Sequence, residues 1–123
     1  MATVKATKEN FNDLVNRNGT VLVDFWASWC GPCRMFAPVF EGAAEKHPDM
    51  VFAKVDTEAE PELAGAFGIM SIPTLMVLKD QVIVYSQAGA LPAHALEQLL
   101  EQVEELDMDE VRRQIAEAPS TAG

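Results

Sequence analysis

Between residues 21 and 27 the chain reads VLVDFWA, almost continuously apolar and rich in β-branched and aromatic side chains. That run predicts a strand covered on both faces. Over residues 33–46 (CRMFAPVFEGAAEK) the period changes: Phe36, Val39, Phe40 and Ala43 recur at three- and four-residue intervals, the signature of a helix with one apolar face. Pro38 lies inside it, and a proline has no N–H to donate and crowds the preceding turn, so a kink is expected near Ala37. VFAKVD at 51–56 predicts a second strand, and TEAEPELAGAFG at 57–68 a short helix, with acids early and Gly68 late. IPTLMVLKD and VIVYSQAG, within 72–89, predict an antiparallel hairpin turning near Asp80 and Gln81. ALPAHALEQLLEQVEEL at 90–106 puts Leu96, Leu99, Leu100 and Val103 on one stripe, a helix laid across a sheet. One more helix is expected around residues 10–16, ahead of the Asn18-Gly19 turn signal.

The order βα, βα, ββα predicts an α/β fold with a mixed central sheet and helices on both faces. Beyond Leu106, Asp107 and Glu110 have the spacing of a capping box, and Met108, Val111 and Ile115 share one face of a short extra helix. APSTAG at 118–123 reads as a loose tail. The expected organisation is therefore one domain over 1–106 and an acidic C-terminal extension over 107–123.

Length and composition agree with a single core: 123 residues, nearly half of them hydrophobic, exceed what disorder allows and suit one domain. The net charge of −10 repels nucleic-acid phosphates and anionic membranes, so neither is an expected partner. From Glu97 onward eight acids face only Arg112 and Arg113, the composition of a solvated helix face. With no apolar run long enough to span a bilayer and no apolar stretch in MATVKATKENF, a cytoplasmic location is expected.

The only two cysteines, Cys30 and Cys33, bracket Gly31-Pro32. Such a pair can cycle between dithiol and disulfide, supply half of a metal site, or simply pack. A zinc site needs four ligands, and His47 and His94 do not follow ligand spacing, so no metal is expected within one chain. Inert burial fits poorly beside a Gly-Pro turn. The redox reading accounts for the spacing. Cys30 falls between a strand end and a helix start, where unpaired N–H groups and the helix dipole favour a thiolate, the species that attacks disulfides. Cys33, one turn on, can resolve the mixed disulfide. Pro32 suits a first helical turn, where its missing N–H has no partner to lose, and Gly31 adds little bulk beside the sulfur.

WCGPC at 29–33, with VDFWA before it and AKVD at 53–56, SIPT at 71–74 and AGA at 88–90 after it in order, resembles the thioredoxin family over residues 8–106. The resemblance implies the thioredoxin fold and a protein-disulfide reductase that binds no cofactor, is re-reduced from NADPH by a flavin-containing thioredoxin reductase, acts on disulfide-containing proteins and is a monomer.

It also implies site roles. Asp24, the one charge in an apolar strand, would relay a proton for Cys33, and Lys54, which alternation along the next strand points toward it, would tune that proton. Pro73 would be cis and face the disulfide, while Ile72 offers its backbone to an extended substrate peptide. Trp29, Ile72, Pro73, Ala88, Gly89 and Ala90 would line the groove. Trp26 is expected to pack beneath the active loop. Arg34 stands where a lysine is common, and Met70 and Ser71 occupy positions where the family varies. Two rival readings remain: the same fold run as an oxidase or isomerase, disfavoured by Gly-Pro between the cysteines, and a binding subunit or holdase whose groove and acidic helix hold a partner.

Overall fold

A computed structural model describes residues 2–118. Ten elements follow one another: β1 (Val4–Lys5), α1 (Phe11–Val15), β2 (Thr20–Trp26), α2 (Gly31–Lys46), β3 (Val51–Asp56), α3 (Pro61–Ala66), β4 (Thr74–Lys79), β5 (Val82–Ala88), α4 (Ala93–Glu105) and α5 (Met108–Glu117). The sheet order is β1-β3-β2-β4-β5, with β1 and β2 parallel to β3, β4 antiparallel to β2, and β5 antiparallel to β4.

β2 lies at the centre, and alternate side chains feed two cores. On one face Leu22, Phe52, Leu75 and Val77 meet Phe36 and Phe40 of α2 and Leu96, Leu100 and Val103 of α4. On the other, Val21, Val23, Phe25 and Val55 meet Phe11 before Leu14 and Val15 of α1, and Leu63 and Phe67 around α3. Burial on both faces explains why β2 shows no polar alternation.

The predicted elements form, with differences at their ends. β1 has two exposed residues and carries no apolar pattern, so nothing in the sequence announced it. α3 is shorter than the expected 57–68 because the Asp56 carboxylate accepts the N–H groups of Glu58 and Ala59, turning the chain before Pro61 opens the helix. α2 begins at Gly31, two residues earlier than the periodicity suggested, since Cys30 acts as its N-cap. It continues through Pro38, whose ring is exposed. At α5 the Asp107 side chain accepts the Asp109 and Glu110 N–H groups, as an N-cap does. The Glu110 carboxylate turns instead to Arg113, so the cap is one-sided rather than a reciprocal box. The tail expected at 118–123 lies, beyond Ala118, outside the described residues. Among the described residues no helix is long and apolar enough to cross a membrane.

Candidate active site

The end of β2 delivers the site. After Trp26 the chain turns through residues 27–30 and enters α2, and Cys30 and Cys33 are joined by a disulfide across the first turn of the helix. Cys30 Sγ accepts the Cys33 N–H at 3.2 Å, so the sulfur itself fills the N-cap. A helix N-terminus leaves several N–H donors without backbone partners and carries a partial positive charge, both of which stabilise negative charge on that sulfur once the disulfide opens. Arg34 adds a cation at the same turn and donates to the Ser28 carbonyl at 2.9 Å, tying the loop to the helix. In the disulfide form both cysteines are buried, Cys30 5% and Cys33 3% exposed.

Pro73 is cis and buried, immediately before β4. The Ile72 carbonyl oxygen lies 3.7 Å from Cys30 Sγ, and the Gly89 N–H donates to the Pro73 carbonyl at 2.8 Å. Gly89 has φ +111, a left-handed-side conformation that favours glycine, so the chain can bend away from β5 beside the proline. Ala88, Gly89 and Ala90 are exposed, Ile72 is half-buried, and Trp29 is 65% exposed beside the disulfide loop. The Ile72 backbone thus stands beside the disulfide, with Gly89 joined to the neighbouring proline.

Asp24 is 1% exposed, and its Oδ1 has no hydrogen-bond partner. Burial, opposed by the Lys54 charge, pushes its carboxyl up to about 7. Lys54 is its register neighbour on β3, as alternation predicted, yet among the described residues no ion pair joins them. The Lys54 ammonium instead sits over the Trp26 ring, 4.9 Å from its centroid, and acts on Asp24 as a charge at a distance.

Two acids with defined partners escaped the sequence reading. Glu58 accepts the Trp29 indole N–H at 2.7 Å, and Glu41 accepts from Ala2 N–H at 3.1 Å and the Thr3 hydroxyl at 2.8 Å, fastening the start of the chain to α2. Neither carries a local signal that marks it, and only the loop after β3 and the path of the N-terminal segment bring them to their partners.

A two-cysteine turn at a helix N-terminus, capped by its own sulfur and faced by a cis-proline on a mixed sheet, defines a thiol–disulfide oxidoreductase. The Thioredoxin family model matches residues 2–102. The chain is 60% identical to a protein named "Putative thioredoxin 2" from Streptomyces coelicolor, over 99% of this chain and 91% of that one. It is 46% identical to the thioredoxin of Bacillus subtilis, over 81% of this chain and 96% of the relative, and 47% identical to that of Mycobacterium tuberculosis, over 77% and 84%. The chain belongs to the thioredoxin family.

Proposed function

We propose that this oxidoreductase works as a protein-disulfide reductase, and the observation that carries the reading is the Cys30 sulfur seated as the N-cap of α2. In the dithiol form the Cys30 thiolate attacks one sulfur of a substrate disulfide. A new S–S bond forms, the substrate bond breaks, and the leaving sulfur takes the electron pair as a thiolate. The Cys33 thiolate then attacks Cys30 Sγ, which releases the second substrate thiolate and closes the Cys30–Cys33 disulfide. Two electrons have moved from protein to substrate.

Asp24 takes the proton that Cys33 must lose. A carboxyl held near 7 can accept and return a proton at neutral pH, where an ordinary carboxylate is too weak a base. Lys54 moderates that basicity. Gly31 and Pro32 keep the turn compact. The substrate peptide pairs with the Ile72 backbone beside Pro73, and Trp29, Ala88, Gly89 and Ala90 line its path. Main-chain pairing of this kind is nearly blind to sequence, which suits a reductant of many proteins.

Electrons return from NADPH through a flavin-containing thioredoxin reductase, in the cytoplasm, where dithiols persist. The protein acts as a monomer. Residues 1–106 form the catalytic domain, and 107–123 an acidic extension outside the chemistry.

The test is insulin reduction coupled to NADPH oxidation through a matched reductase. The full chain supports turnover, Cys30→Ser abolishes it, and Cys33→Ser accumulates a mixed disulfide through Cys30. Equilibration with glutathione separates the oxidase alternative: a dithiol that stays reduced in an oxidising mixture refutes the reductase. A Cys30→Ser, Cys33→Ser protein that retains the cellular role would favour the holdase.

A further inference from the structure

Next to the groove a crevice of about 310 Å³ opens between α2 and the start of α4, lined by Met35, Val39, Ala90, Leu91 and Pro92. Its walls carry no charged side chain. Val39 and Leu91 form the base, packed against the core, and Met35, 74% exposed, forms a rim. An unbranched thioether can shift to admit side chains of different shape. The crevice continues the groove, since Ala90 belongs to both and the Gly89-to-Pro73 hydrogen bond holds the Ala90–Pro92 segment beside the cis-proline.

We infer that this crevice is a specificity subsite that takes an aliphatic side chain of the substrate peptide, two residues from the cysteine under attack. The inference rests on the reductase reading above. In an extended peptide successive side chains alternate, so when the substrate cysteine faces Cys30 the residues two positions away face the protein as well. The neighbours at one position face away. Burial of a branched aliphatic chain against apolar walls favours leucine over alanine, whereas an aspartate would lose its hydration there.

The experiment uses the reduced full chain and nine-residue peptides with a central cysteine capped as a mixed disulfide with thionitrobenzoate. Attack by Cys30 on the peptide sulfur releases the coloured thiolate, and the second-order rate is read directly. Leucine, alanine or aspartate is placed in turn at positions −2, −1, +1 and +2. Leucine is expected to exceed alanine by about 10-fold at either −2 or +2, and not at −1 or +1, a discrimination typical of apolar pockets. In Met35→Glu, an exposed position where folding is not at risk, and in Val39→Phe, which fills the crevice, the leucine-to-alanine ratio at that position is expected to fall several-fold. Ratios within two-fold at both −2 and +2 in the unmodified protein would overturn the inference, as would a ratio unchanged in both variants. If the alanine peptide reacts no faster with the unmodified protein than with Cys30→Ser, the reductase reading itself fails, a result distinct from lost selectivity.

Discussion

Asp24 combines nearly complete burial with an unpartnered carboxylate oxygen, so ionising it in the folded protein is unfavourable. Below its ordinary value of 3.8 the folded and unfolded chains both hold the proton. Between there and about 7 the unfolded chain releases a proton that the folded chain keeps, so folding stability falls as pH rises and levels off above the folded value. The loss is on the order of 4 kcal/mol at most, at about 1.4 kcal/mol per unit. Urea unfolding of the disulfide form should therefore show Asp24→Asn gaining on the unmodified protein between pH 5 and pH 8. The same substitution should slow release of the Cys33-resolved product about 10-fold or more at pH 7 and flatten its rise with pH. Glu58 holds the exposed Trp29 indole beside the disulfide loop. Glu58→Ala frees the Trp29 indole, and the expected outcome is a 2- to 5-fold rise in KM (~2–5) with little change in kcat, together with a shift in tryptophan emission.

At the scale of elements, the hairpin and the last helices depend on each other. The Lys79 ammonium donates to the carbonyls of Val103, Glu104 and Leu106 at 2.7, 3.1 and 3.1 Å, closing the C-terminus of α4 with a positive charge where the helix dipole favours one. Lys79→Met leaves those carbonyls to water, with an expected loss of about 1–2 kcal/mol in denaturant unfolding and faster amide exchange at the end of α4. Asp80 and Gln81 both have positive φ, 49 and 73, the backbone of a two-residue primed turn. The sequence placed the turn at these two residues. Gln81 adopts the same region, and Gln81→Gly should raise stability by roughly 0.5–1 kcal/mol.

The whole molecule has two poles. The disulfide and cis-proline lie where β2 ends and β4 begins, whereas α5 approaches the opposite end of the hairpin, with Arg112 donating to the Asp80 carbonyl at 3.5 Å. Met108 is buried there, so α5 contributes packing even though Ile115 remains exposed. A chain ending at Leu106 should keep disulfide-reductase activity within about two-fold while unfolding with a loss of about 1–3 kcal/mol, measured on matched preparations. Loss of activity in a folded truncated protein would contradict the separation of the poles. The family match over 2–102 stops short of α5, whereas similarity to the Streptomyces coelicolor protein extends over nearly the whole chain.

By itself the sequence determined what local chemistry and periodicity can determine. The almost continuous apolar run required β2 to be central, the three- and four-residue spacing required α2 and α4, and the Gly-Pro turn between two cysteines set a sulfur at a helix start. These depend on residues within a turn or two of one another. Only the tertiary structure decided what depends on distant neighbours: that two exposed residues add an edge strand, that Lys54 lies over Trp26 instead of pairing with Asp24, that Glu58 holds Trp29, and that Met35 and Leu91 share a crevice. Such contacts join segments far apart in the chain, and a lone Glu, Lys or Met carries the same local signal whether it meets water or a partner.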